Sequence, residues 1–183
     1  DSDVFSDLVN VEKLYLDHNQ ISNVADGAFS SLKKLEFLSL EHNHLNHLNA
    51  EVFTGLERLR ELRLSNCEII GIEQNVMQNL TELRVLDLSH NQIYAIKRNI
   101  LDGISEIEEL YLSNVMADDV EVDTFATFNR LRILDLSLNS VNARRMNSLR
   151  LPSSIQLLNI SHNNLSNDKG IELSKEFVKQ IRY

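Results

Sequence analysis

Residues 35–58 read Leu35-Glu-Phe-Leu38-Ser-Leu40-Glu-His-Asn43-His-Leu45-Asn-His-Leu48-Asn-Ala-Glu-Val-Phe53-Thr-Gly-Leu56-Glu-Arg58. The same pattern restarts every 24 residues, at positions 11, 35, 59, 83, 107, 131 and 155, without insertion or deletion. Residues 1–10 carry a partial copy, with Val4, Phe5 and Leu8 in the places of its back half. A fixed period in the twenties means similar units stacked into a solenoid, not a globule around one centre.

Each copy opens with a short period-two segment. Leu14 and Leu16 alternate with Tyr15 and Asp17, the pattern of a strand buried on one face. The inward pairs continue as Leu38/Leu40, Leu62/Leu64, Leu86/Leu88, Leu110/Leu112, Leu134/Leu136 and Leu158/Ile160. One repeat cannot bury such a face alone. Stacked neighbours can, as a parallel sheet of about seven strands at roughly 4.8 Å spacing.

Three further columns follow. Asn19, Asn43, Asn91, Asn139 and Asn163 recur after the strands, with Cys67 and Val115 in the same place in repeats three and five. A carboxamide both donates and accepts, so it can satisfy backbone groups of its own turn and of the next. Valine cannot, so the ladder is expected to break at Val115, with a local irregularity or a water there. Phe5, Phe29, Phe53, Met77, Leu101, Phe125 and Leu149 form an apolar column, and Leu8, Leu32, Leu56, Leu80, Ile104, Phe128 and Pro152 form a second one three residues on. At this regularity both are expected to be core, where aromatic burial is a large stabilising contribution.

These columns resemble the leucine-rich repeat family in its typical 24-residue extracellular animal form. The likeness covers about residues 4 to 168 and extends to invertebrate Toll-type ectodomains and secreted leucine-rich innate-immunity proteins. It implies an α/β solenoid: a horseshoe with a parallel concave sheet and an irregular convex side. Residues 1–168 are expected to form the solenoid, and 169–183 a short amphipathic helix. In that segment Leu173, Phe177 and Ile181 recur at four-residue spacing, beside Glu172 and Lys175. The helix is expected to cap the last repeat, or else to begin a coiled coil.

Function follows from what the repeat leaves free. Outward strand positions read Lys13, Phe37, Glu61, Val85, Glu109, Ile133, Leu157 and Tyr15, Ser39, Arg63, Asp87, Tyr111, Asp135, Asn159. Aromatic and arginine side chains dominate binding hot spots, which makes Tyr15, Phe37 and Tyr111 the expected anchors. Arg60, Arg63 and Arg84 read as a basic cluster amid carboxylates. With Asp87, Glu109 and Asp135 they form the expected partner-binding face. The resemblance implies a non-enzymatic module that binds a protein ligand or a partner subunit, in innate recognition or complex assembly. An adhesion or guidance receptor fragment and a structural assembly module are the alternatives. Dimerisation is expected, if anywhere, through the ends or the C-terminal helix.

Composition bounds the rest. The net charge of −9 argues against nucleic acid, since phosphate binding needs clustered Lys and Arg. No apolar run approaches a membrane span. The single Cys rules out an internal disulfide and by itself suits the cytosol. Against that stand three sequons, Asn79-Leu-Thr, Asn159-Ile-Ser and Asn164-Leu-Ser. The resemblance tips the expectation to the extracellular side. No phosphate loop, metalloprotease helix or nucleophile elbow is present. His18, His42, His90 and His162 recur before the ladder. The first two with Asp17 or Glu41 give too few ligands to expect a metal, and no cofactor is expected.

Overall fold

The computed structural model describes residues 4–180 apart from 168, 169 and 172. Asp168, Glu172 and Ile181 therefore lie outside the described residues. Seven three-residue strands form one parallel sheet in chain order: β1 Lys13–Tyr15, β2 Phe37–Ser39, β3 Glu61–Arg63, β4 Val85–Asp87, β5 Glu109–Tyr111, β6 Ile133–Asp135 and β7 Leu157–Asn159. The register advances by 24 residues at every step: Leu14 pairs with Leu38, Leu38 with Leu62, Leu62 with Leu86. The sequence period is thus the strand register itself.

The inward leucines of β2 to β6 are fully buried, and so are Phe29, Phe53, Met77, Leu101, Phe125 and Leu149 of the second half-turn. Leu32, Leu56, Leu80, Ile104 and Phe128 complete that layer, but Leu8 of the expected column is 42% exposed. Leu14, Leu16, Ile21 and Val24 of the first repeat are only half-buried, because a single neighbouring repeat covers them. Phe5 stacks on Phe29 at 5.7 Å, continuing the phenylalanine column at this end.

The asparagine ladder is present and explains the tight turns. Asn91 is the fullest case. Its Nδ2 donates to the carbonyls of Leu88 (2.7 Å) and Leu64 (2.9 Å), and its Oδ1 accepts from the amides of Cys67 (3.1 Å) and Ile69 (2.9 Å). Asn43, Asn139 and Asn163 do the same between their own pairs of repeats. Asn19 is exposed and bonds only within its own turn.

Val115 does not leave a gap. It is fully buried, and its own carbonyl accepts from the amides of Ile93 (2.9 Å) and Tyr94 (3.1 Å). Backbone thus replaces the missing carboxamide. The turns there also pair as short parallel strands, Ala95–Ile96 with Asp119–Val120. At Cys67 the same substitution occurs: His47–Leu48 pairs with Gly71–Ile72, and the thiol donates to the Leu40 carbonyl at 3.0 Å. In both places the residue after the ladder position turns left-handed, Glu68 at φ 57° and Met116 at φ 60°. The expected interruption is a change of mechanism, in which a backbone carbonyl and short strand pairing stand in for the carboxamide.

Near the C-terminus the repeat gives way to helix α1, Ala143–Ser148, capped by the Asn142 side chain on the Arg145 amide at 3.0 Å. Arg144, where earlier repeats place Val24 or Leu48, is exposed on it, while Ala143 and Met146 face the core. Helix α2, Lys175–Val178, packs against α1 with Phe177 fully buried. Gln180 holds the intervening backbone, donating to Leu149 O (3.2 Å) and accepting from Leu151 N (2.9 Å).

Candidate functional site

The outward positions of the seven strands form the concave face, flanked by two surfaces of unlike chemistry. At its N-terminal end Tyr15 and Phe37 are side by side, ring centroids 4.7 Å apart and tilted by 38°. Tyr15 is 61% exposed, and the Arg63 guanidinium sits 5.6 Å above the Phe37 ring. Parallel pairing produces this directly, since Lys13/Phe37 and Tyr15/Ser39/Arg63 are register neighbours. Ser39, expected to face out, is 2% exposed and its hydroxyl has no partner. The side chain is too short to rise between Tyr15 and Arg63.

The middle of the face is a depression of about 470 Å³ lined by Glu61, Arg63, Val85, Asp87, Glu109 and Tyr111. Arg63 Nε donates to Glu61 at 2.7 Å, and the guanidinium lies 4.0 Å from Glu41. That hydrogen bond, strengthened by the carboxylate charges, raises the Arg63 pKa. The Tyr111 hydroxyl donates to Glu109 at 2.9 Å. Burial first, and Glu109 second, push its pKa up to about 12. Tyr111 is therefore a half-buried member of a strand-top network and not a projecting anchor like Tyr15. Asp87 and Asp135 accept from the amides of Ser89 and Ser137, both at 2.8 Å. Asp135 also accepts from Asn159 at 3.0 Å.

The three arginines do not form one cluster. Arg63 points from the strand, whereas Arg60 and Arg84 belong to the flank that precedes the strands. Arg60 pairs with Glu36 (3.0 Å) and Arg84 with Glu108 (3.5 Å). Arg132–Glu108 and Arg130–Glu106, each 2.7 Å, continue the series. These partners stand 24 residues apart, so the repeat period already carried the signal for them. Across the outward positions from Lys13 to Ser161, two cations (Lys13, Arg63) face six carboxylates (Asp17, Glu41, Glu61, Asp87, Glu109, Asp135). The concave face is acidic, with an aromatic head.

Of the sequon asparagines, Asn164 is exposed, Asn79 half-exposed, and Asn159 engaged with Asp135 and the Ser161 hydroxyl. His18 and His42 stack at 4.2 Å. Among the described residues no three His, Cys, Asp or Glu side chains are grouped to hold a metal ion. Nor, among them, is any helix long and apolar enough to cross a membrane.

The fold is a one-strand-per-repeat parallel solenoid with an asparagine ladder and an open concave sheet. The leucine rich repeat model matches residues 9–69 and 57–116, more than half of the chain, and the chain belongs to the leucine-rich repeat family. Among solved structures it is similar to the TLR13–ssRNA13 complex, with TM-score 0.81 and 32% identity, covering 90% of this chain and 23% of that one. It is also similar in fold to Toll in the Drosophila Toll–Spatzle complex, glycosylated form, with TM-score 0.75 and 21% identity, covering 98% of this chain and 27% of that one. The chain thus spans about a quarter of the receptors it matches. No curated protein matches it. Since the TLR13 structure holds RNA, the expectation that an acidic chain of this fold excludes nucleic acid has no support from its relatives.

Proposed function

We propose that the chain is a non-enzymatic protein-recognition module of a secreted or cell-surface protein, and that its concave face takes a protein presenting a basic surface. The observation that carries this reading is the exposed Tyr15 packed on a half-buried Phe37, with Arg63 over the Phe37 ring, at the head of a carboxylate-dominated sheet. Aromatic rings supply contact area at low entropic cost, and the carboxylates steer and orient a cationic partner. Asp87, Glu109 and Asp135, with Tyr111, set that field. Arg60 and Arg84 form a rim.

The similarity to Toll in complex with Spatzle supports a protein partner and a role in innate immunity or complex assembly. The extracellular placement rests on the same likeness and on the sequons, of which Asn79 and Asn164 are the sites we assign to glycans. RNA, as in the TLR13 complex, is the second reading. The acidic face opposes it, because phosphates need cationic contacts.

The test is a pull-down from native extracellular fluid or membrane fraction. Wild type is compared with a Tyr15→Ala/Phe37→Ala variant of unchanged melting temperature. A basic protein retained by wild type and reduced at least about 30-fold with the variant is expected, from the usual weight of two central aromatics. A partner held equally by both, or RNA recovered in its place, would overturn the reading.

A further inference from the structure

We infer that the turn of the sixth repeat holds a binding site for a single phosphate or sulfate monoester on a sugar-sized polar carrier. The inference stands apart from the concave-face reading, since none of the residues involved lies on a strand of the seven-stranded sheet. The site is a cavity of about 490 Å³ lined by Val122, Asn142, Arg144, Arg145 and Ser148. Two guanidinium groups and no carboxylate line it, in a chain of net charge −9.

The other repeats supply the comparison. At the positions of Arg144 and Arg145 the third repeat has Ile72 and Glu73, and the fifth has Val120 and Glu121. There the apolar residue packs on the core, and the carboxylate accepts from an amide of the preceding repeat, Glu73 from Ala50 at 3.0 Å and Glu121 from Arg98 at 2.9 Å. Both tasks lapse in the sixth repeat. Helix α1 turns Ala143 and Met146 to the core instead, and both arginines are exposed on it. Packing of the fold therefore does not account for two adjacent cations here.

Their donors are also uncommitted. Among the described residues Arg144 has no ion pair. Arg145 Nε lies 2.9 Å from Asp119 Oδ1, yet that oxygen accepts no hydrogen bond, so the contact is an ion pair without alignment. The Asn142 oxygen caps the Arg145 amide at 3.0 Å, which leaves its carboxamide NH2 as a further donor. Ser148 donates to the Arg145 carbonyl at 2.7 Å and steadies the last turn. A tetrahedral oxyanion offers several acceptors at once and matches guanidinium forks two bonds at a time. Charge around the cavity selects the ligand. The adjoining cavity, which shares Val122 and Arg145, is lined by Lys97 but also by Asp119 and Glu121. A polyanion laid across both would press its next charges against those carboxylates, whereas one isolated anion meets the arginines alone. The volume exceeds that of an inorganic ion and leaves room for the carrier, with Val122 for its apolar side.

Titration with glucose 6-phosphate and with glucose 6-sulfate, between about 0.1 and 20 mM where a few charged hydrogen bonds act, tests this through the side-chain N–H resonances of arginine and asparagine by NMR. Arg144, Arg145 and Asn142 should shift together and saturate, and glucose itself should shift none of them. The tighter ester tells a phosphate source from a sulfate source. Arg144→Ala and Arg145→Ala should each weaken binding at least about 10-fold, the usual weight of a charged hydrogen bond. Arg130→Ala, at an exposed arginine paired with Glu106, should leave it unchanged. Thermal melts check folding, and Arg144→Leu, the residue of the second repeat, serves if alanine disturbs the turn. No saturating shift up to about 20 mM, shifts spread over arginines elsewhere, or binding that survives in both variants would each overturn the proposal. So would single-stranded oligouridylate held at these residues more tightly than either ester, which would assign the site to nucleic acid.

Discussion

The two flanks of the concave sheet are made by the same repeat, yet they solve opposite problems. The flank before the strands is covered by long charged side chains that satisfy one another across repeats, Glu36 with Arg60, Arg84 with Glu108, Glu108 with Arg132. The flank after the strands has its ladder asparagines turned inward. There the asparagines bond buried backbone, and the surface carries histidines, small polar residues, Glu68 paired with His44, Asp118, and the exposed Ile70, Tyr94, Met116 and Leu138. The difference shows that exposure alone does not mark an interface in a repeat protein. What marks it is whether the exposed groups already have partners in their own chain.

Both flanks hang on one core, so the first way to break the contrast is to remove that core. Phe53→Ala, at a fully buried position, should cost about 3–5 kcal/mol by cavity formation, read from denaturant unfolding. An effect near that of a surface substitution would mean the inside and outside of the repeat are wrongly assigned.

The next contrast is between ladder positions. Asn91→Ala orphans the buried Cys67 and Ile69 amides and the Leu64 and Leu88 carbonyls and should cost on the order of 3 kcal/mol. Asn19→Ala, exposed at the first repeat, should cost about 0.5 kcal/mol or less. Equal losses would show that the column acts through something other than burial of its hydrogen bonds.

Cys67 sharpens the same point by pH. Burial pushes its thiol up to about 11, against an ordinary value near 9. The fold therefore holds the proton more tightly than the unfolded chain does. The associated stability is complete below about pH 9 and is lost as pH rises toward 11. At about 1.4 kcal/mol per unit this amounts to roughly 2–3 kcal/mol. Cys67→Ala should lack the part of that fall between pH 9 and 10, and iodoacetamide at pH 7.5 should modify native Cys67 only at the rate of unfolding. Rapid native labelling would contradict its burial.

The smallest effects compare the flanks directly. Arg132→Ala removes an exposed pair and should cost under about 1 kcal/mol, less in high salt. Met116→Gly relieves a left-handed side chain, so it should leave stability unchanged or raise it by up to about 1 kcal/mol. A loss of several kcal/mol at Met116 would make that residue structural.

Much of this architecture was legible because a period of 24 is also a register. Once Leu38 and Leu62 are aligned, the sheet, the phenylalanine layer and the face of Tyr15 and Phe37 follow. What was not legible depends on backbone geometry between repeats. The residue type at Val115 announces a missing carboxamide, but not that its carbonyl takes over, nor that Tyr94 and Met116 are turned outward as a result. Ser39 reads as outward by alternation and is buried by the size of its neighbours. Tyr111 and Tyr15 share a column, yet only Tyr111 has a carboxylate within reach. Helix α1 replaces the loop of the sixth repeat where Arg144 stands in an apolar column, and the Asn142 cap behind it is a local signal that the column reading passed over.

The most direct test of the concave face as the partner surface uses one photoreactive residue, p-benzoylphenylalanine, in place of the exposed Tyr15 in one chain and of the exposed Tyr94, on the flank, in another. Each is irradiated in the native extracellular fraction. Crosslinking of position 15, and not of position 94, to a basic protein is the expected result. Capture of that protein by position 94 alone, or by neither position, would contradict the concave face as the partner surface.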